Sequence, residues 1–208
     1  MARDEEINRS ALTMYGTPRW DIATKDAVLT FPALAETFSC ALNLPISQER
    51  TPKLIALLRR TIIDAGRGTS EAKRLYQRTR PFVVNEKPMC TPNSEAGLRA
   101  DGSYPSGHSS LGWAIGLVLS EVSPSQTIAL VARGRAFGQS RLVCNVHWQS
   151  DVLEGQVVGS AVVARLHAEP EFRKDVLAVR AEVEALRTQG LPMDRDCEAE
   201  AQALKSWQ

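Results

Sequence analysis

The chain has 208 residues, with 25 Lys+Arg against 24 Asp+Glu and a formal net charge of +1. That balance excludes a protein that coats nucleic acid or an anionic membrane through a basic excess, so any anion it handles must be bound locally. At 43% hydrophobic and 24% charged residues it has the composition of an ordinary globular protein, long enough to bury a large core as one domain over residues 1–208.

Met1 to Ser10 are polar and lack the apolar stretch of a secretory signal, which leaves a cytosolic protein or a mature chain whose signal has been removed. Cys40, Cys90, Cys144 and Cys197 contain no C-x-x-C pair, which argues against a zinc site or a thioredoxin-like motif. Their even number permits disulfides without choosing among the three pairings. Residues 48 to 65 place Leu54, Leu57, Leu58, Thr61 and Ile62 on one stripe, with Pro52 near the start and Gly66 and Gly68 as a stop, and so predict a helix. A second helix is expected over 70 to 80, capped by Ser70 and ended by Pro81. Its Lys73 and Arg80, seven apart, then share a face about two turns from one another, where two cations can clamp one anion. Taken alone, a solvated basic stripe with Arg74 and Arg78 is the plainer account.

Residues 82 to 104, rich in Pro, Asn, Gly and Ser, read as a loop. Beyond it, 106 to 122 are apolar almost all round and predict a buried central helix. The uncharged run from Ser103 to Ser120 holds His108, several serines and a proline, so it is no membrane span. At the mouth of this helix, YPSGHSS offers Ser106 as a cap and first-turn N–H groups without partners, an arrangement that binds anions. Gly107 lets backbone approach a ligand and His108 stands there with a proton to give. Taken alone, a capped helix with an incidental histidine is the better account of the segment. Residues 124 to 139 predict a further helix leading into Ser140. In SRLVCNVHWQSD, His147 and Asp151 are four apart, so on a helix the carboxylate accepts the Nδ1–H and leaves Nε2 to attack. A surface His–Asp pair gives the same spacing. Residues 147 to 168 continue apolar, with Gly155, Gly159, Ser160 and Ala161 allowing close helix approach. Phe172, Val176, Val179, Val183 and Leu186 mark a last amphipathic helix over about 170–190. His167 reads as structural or exposed. The reading is all-α, a single-domain helical bundle around a buried central helix.

Lys73-x6-Arg80-Pro81, then Pro105-Ser106-Gly107-His108, then Ser140-Arg141-x5-His147-x3-Asp151, in that order, resembles the three-part signature of the type 2 phosphatidic acid phosphatase superfamily. The flanking sequences GSYPSGHSSLGWAIGLVLSEVSP and ARGRAFGQSRLVCNVHWQSDV resemble the bacterial class A non-specific acid phosphatases. The likeness runs over roughly residues 15 to 170. It implies an acid phosphatase/vanadium haloperoxidase-like fold and hydrolysis of varied phosphomonoesters through a phosphohistidine, with phosphotransfer when an alcohol replaces water. His147 matches the nucleophile, Asp151 its orienting partner and His108 the acid. Lys73, Arg80, Arg141, Ser106 and the Gly107 N–H match the phosphate-binding groups. It further implies no metal or other cofactor, small phosphomonoesters as partners, and inorganic phosphate, sulfate or vanadate in the same pocket. No nucleic acid or membrane span is expected, and a homo-oligomer is left open. The likeness also implies a periplasmic or secreted protein whose signal was removed, and with export a Cys90–Cys144 disulfide.

The physics agrees with those roles. A phosphoryl group in transfer spreads charge over three equatorial oxygens, which fixed cations and N–H donors stabilise. The two histidines need opposite protonation states, easiest near or below the imidazole reference of about 6.5, which predicts an acid to near-neutral optimum. Walker-type, H-E-x-x-H and G-x-S-x-G signatures are absent. A vanadium haloperoxidase is disfavoured by the short chain, and a membrane lipid phosphatase by the missing spans. A non-catalytic phosphate binder is disfavoured because every acid, base and nucleophile position is filled.

Overall fold

Prolines and polar turns cut the chain into helices, and in the computed structural model, which describes residues 2–207, no strand occurs among the described residues. In chain order the helices are α1 (Ala2–Leu12), α2 (Pro18–Asp26), the short α3 (Ala33–Glu36) and α4 (Ser39–Leu42), and α5 (Pro52–Arg67). There follow α6 (Ser70–Tyr76), α7 (Pro81–Asn85), α8 (Glu95–Ala100) and α9 (Gly107–Val122). The last four are α10 (Thr127–Val143), α11 (Gln149–His167), α12 (Pro170–Arg187) and α13 (Cys197–Lys205). Proline opens α2, α5, α7 and α12, at the position where its missing N–H costs no hydrogen bond and its φ is already helical.

Helix α9 is the centre of the bundle. Ala114, Ile115, Val118 and Leu119 are fully buried, and α5, α10, α11 and α12 pack around them. Small residues set how closely. A Cβ at Gly134 of α10 would lie 2.9 Å from the Gly112 carbonyl, and one at Gly159 of α11 would lie 2.6 Å from the Ser110 carbonyl, so backbone meets backbone on both sides. The stripe of α5 and that of α12 supply the rest of this core, with Leu54, Leu57 and Leu58 facing Val176, Val179 and Val183. Each such fully buried aliphatic side chain contributes roughly 1.5–3 kcal/mol.

Three of the element boundaries that differ from the sequence expectation matter for the site. Helix α6 ends at Tyr76 because Gln77 takes a left-handed conformation (φ 42), so Arg80 lies beyond it as the N-cap of α7. Helix α10 runs on to Val143 and carries Ser140 and Arg141 inside it. Helix α11 begins only at Gln149, leaving His147 in the turn before it. The expected loop over 82–104 contains α7, a single 3-10 turn at Pro92–Ser94, and α8. Gly155 and Gly159 make close approaches as expected; Ser160, though exposed, accepts a hydrogen bond from Trp113 Nε1 of α9 at 2.8 Å, whereas Ala161 faces solvent.

Two disulfides join distant segments: Cys40–Cys197 links α4 to the start of α13, and Cys90–Cys144 links the loop after α7 to the end of α10. No helix among the described residues is long and apolar enough to cross a membrane.

Candidate active site

The turn from Cys144 to Trp148 is built by helix-end chemistry. Asn145 adopts a left-handed conformation (φ 60) just past α10, and the N–H groups of Val146 and His147 return to the Arg141 carbonyl at 3.2 and 3.3 Å. Asparagine tolerates that conformation. Its buried side chain is fixed by Asn8, Asn85 and the Lys87 carbonyl, at 3.0, 2.9 and 3.1 Å. The reversal folds His147 back toward Arg141.

Asp151 stands in the first turn of α11. Its Oδ2 accepts the Trp148 backbone N–H at 2.8 Å and faces His147 Nδ1 at 3.4 Å. The pair therefore meets across a helix N-terminus, where a carboxylate is stabilised by the helix dipole, and does not stack along one helix as the spacing had predicted. His147 Nε2 lies 3.1 Å from Arg80 Nη1. A guanidinium can only donate, so Nε2 presents its lone pair and the ring proton sits on Nδ1, toward Asp151. Burial, reinforced by Arg80, Lys73 and Arg141 and opposed by a hydrogen bond to the Ser103 backbone, pushes His147 well below the ordinary imidazole value.

Lys73 and Arg80 do converge, by a different route from a shared helical face. Pro81 drives Arg80 into extended backbone, and both cations reach the segment after α8. Arg80 Nη2 lies 3.0 Å from Asp101 Oδ2 and 3.2 Å from the Gly102 carbonyl. Lys73 Nζ donates to the same carbonyl and lies 3.3 Å from the same Asp101 oxygen. Burial lowers the pKa of both, Arg80 lowers that of Lys73 further, and Asp101 opposes the shift in each. Arg141 is 2% exposed, and its Nε and Nη1 have no hydrogen-bond partner. Burial and the neighbouring Arg80 push its pKa down to about 9. A buried guanidinium with unpaired N–H groups is costly unless an anion meets it.

Ser106 caps α9 as expected, its hydroxyl accepting the Ser109 N–H at 3.2 Å, and its own N–H donates to the Asp151 carbonyl at 2.9 Å. The start of α9 is thereby tied to the start of α11. Gly107 is the first residue of α9, and a Cβ there would meet only Thr69 Oγ1 at an ordinary 3.5 Å. His108 Nε2 lies 3.2 Å from the Ala27 carbonyl, with its ring over Phe137. Burial and then Arg141 push His108 well below its ordinary value, opposed by the Ala27 hydrogen bond. His167, outside the cluster, pairs with Glu121 at 2.6 Å and packs edge-on against Phe172, a structural position.

Three charged residues of this region escaped the sequence reading. Asp101 joins Lys73 and Arg80, Arg78 reaches Asp151, and Asp4 of α1 holds Arg78. Arg78 had counted only as part of a solvated stripe. Its spacing from Arg80 could have flagged it, but nothing local marks Asp4 as its partner.

The sequence profile described as the PAP2 superfamily matches residues 54–174. An "Acid phosphatase" of Zymomonas mobilis is 36% identical over 203 residues, 97% of this chain and 77% of that protein. A "Non-specific acid phosphatase" of Salmonella typhimurium is 40% identical over 181 residues, 86% of this chain and 72% of its own length. One of the same name from Providencia stuartii is 39% identical over 185 residues, covering 88% and 75%.

Proposed function

The chain belongs to the PAP2 superfamily and is an acid phosphatase, a phosphomonoester hydrolase, and we propose that it works through a phosphohistidine on His147. The observation that carries this reading is a buried imidazole whose Nε2 lies 3.1 Å from Arg80 Nη1, in a cluster where Arg141 has two buried N–H groups unpaired. An anion satisfies such a cluster, and a phosphoryl group brings both the anion and the electrophile.

In the first step His147 Nε2 attacks phosphorus, the P–N bond forms as the ester P–O bond breaks, and the leaving oxygen takes a proton from His108. The Ala27 carbonyl engages Nε2 of His108, so Nδ1 is the atom left for that exchange. Asp151 holds the developing imidazolium, as the carboxylate of a Ser-His-Asp triad holds its histidine. In the second step water, giving its proton to His108, attacks phosphorus as the P–N bond breaks, which frees neutral His147 and inorganic phosphate; an alcohol in its place yields a new monoester. Lys73, Arg80, Arg141, the Ser106 hydroxyl and the Gly107 N–H bind the equatorial oxygens. The protein packing itself leaves room for a Cβ at residue 107, which supports close approach of a ligand as the reason for glycine there. These cations supply the charge stabilisation a metal would give, so no metal is required. Inorganic phosphate, sulfate and vanadate fit the same donors. Export to an oxidising compartment, the periplasm or the medium, is supported by all four cysteines being paired.

Hydrolysis of p-nitrophenyl phosphate at acid pH is expected to persist in a chelator, to give phosphotransfer when an alcohol is added, and to fall more than about 10⁴-fold in His147→Ala. Alkaline quenching of a labelled substrate should trap phosphohistidine in the wild type. Equal activity in the two proteins, or a label found on another residue, removes this mechanism.

A further inference from the structure

The two oxygens of Asp151 carry separate contacts. Oδ2 serves the Trp148 N–H and His147, while Oδ1 receives Arg78 Nη1 at 2.5 Å. The same Nη1 donates to Ser150 Oγ at 2.7 Å, and Nη2 donates to Asp4 Oδ2 at 2.8 Å. Asp4 also accepts the Ser150 backbone N–H at 2.9 Å and its hydroxyl at 2.7 Å. The Arg78 guanidinium lies over the Trp148 ring at 5.7 Å. One helical turn after Asp4, Asn8 donates to Asn145 at 3.0 Å and accepts from Asn85 at 2.9 Å. Helix α1 therefore grips both ends of the 145–151 segment that carries His147.

A carboxylate held through one oxygen swings about its terminal torsion, which is broad for aspartate. A second anchor on the other oxygen removes that freedom, and the planar arginine fork can reach Asp151 and Asp4 at once where a lysine could not. The pairs lie below the surface, with side-chain exposures of 22% for Arg78, 10% for Asp4 and 0% for Asp151, so they are poorly screened. We propose that Arg78 is a positioning residue for phosphoryl transfer: it holds Asp151 by Oδ1 so that Oδ2 keeps the His147 ring aimed at phosphorus, and Asp4 on α1 holds Arg78 in place. The proposal rests on the reading of His147 as nucleophile.

The test is steady-state kinetics on p-nitrophenyl phosphate, with the inhibition constant of inorganic phosphate as a second readout, for Arg78→Ala, Arg78→Lys, Asp4→Asn and the Asp4→Asn/Arg78→Ala pair. Misplacing a reacting group by an ångström costs on the order of 100-fold, so kcat should fall about that far in Arg78→Ala while KM and phosphate inhibition stay within about threefold. Arg78→Lys should recover part of the loss. Asp4→Asn should lower kcat alone, and the double variant should be no worse than Arg78→Ala, because both act through one carboxylate. An unchanged kcat in Arg78→Ala, or an equal loss of phosphate affinity, overturns the proposal. If Arg78→Ala does not fold, Asp4→Asn decides by the same split, an unchanged kcat again overturning it. His147→Ala run alongside separates the two ideas: full activity there removes the phosphohistidine itself, while activity lost there and kept in Arg78→Ala removes only the positioning role.

Discussion

His108 and His147 share one electrostatic problem with opposite consequences. Burial and the surrounding cations depress both, which suits the attacking role proposed for His147 and works against the proton-donating role proposed for His108. The sequence reading used the reference imidazole for each; the fold sets both below it. A group that must be protonated supports activity below its pKa, and that activity is lost as pH rises through it. In the free enzyme burial and Arg141 hold the His108 value down, so the alkaline limb of kcat/KM should fall below pH 6.5, the ordinary value. A bound phosphoryl dianion offsets Arg80 and Arg141, so the alkaline limb of kcat should lie at higher pH. Rate profiles for both parameters check this, and coincident limbs or a free-enzyme limb above neutrality would contradict it.

At the scale of elements, the site depends on how closely α11 approaches α9. A Cβ at Gly155 would stand 2.4 Å from the Ser106 carbonyl and 2.8 Å from Ser109 Cβ, at the very turn that Ser106 caps. Gly155→Ala must push the two helices apart, an overpacking that costs about 1–3 kcal/mol. For a chain of this size that lowers Tm by about 2–12 °C. Because the Ser106 N–H is bonded to the Asp151 carbonyl, activity should fall with it. Gly97→Ala in α8 is the matched control: nothing lies within 4 Å of its added Cβ, so it should be neutral or stabilise by up to about 1 kcal/mol. Thermal unfolding of the two variants separates them, and equal Tm values would show that the approach is not tight.

For the whole molecule, the disulfides divide along the same lines. Cys40–Cys197 spans 157 residues and joins α4 and α13, which carry no site residue. Cys90–Cys144 spans 54 residues and ends at the turn that presents His147. Each constrains the unfolded chain and contributes about 2–5 kcal/mol. Cys40→Ser/Cys197→Ser should therefore lower Tm by several degrees with kcat retained at low temperature, whereas Cys90→Ser/Cys144→Ser should lower both. Calorimetry paired with p-nitrophenyl phosphate kinetics reads this, and a Cys90–Cys144 variant of full kcat would show that the turn holds without its bridge.

What the sequence determined by itself was local: the apolar faces of α5, α9 and α12, the Ser106 cap, and the residue types and order of the three motifs. Periodicity, caps and proline act within a few residues, so they are legible in one dimension. Only the tertiary structure decided how those residues meet. Lys73 and Arg80 converge through Asp101 and Gly102 and not along a helix, and His147 meets Asp151 across the start of α11. The Arg78–Asp4 pair joins residues 74 apart. Ion pairs and buried hydrogen bonds depend on which remote segments the packing brings together, and no local spacing encodes that. The near-zero net charge hides the same fact, since three cations gather around His147 only after the bundle has closed around α9.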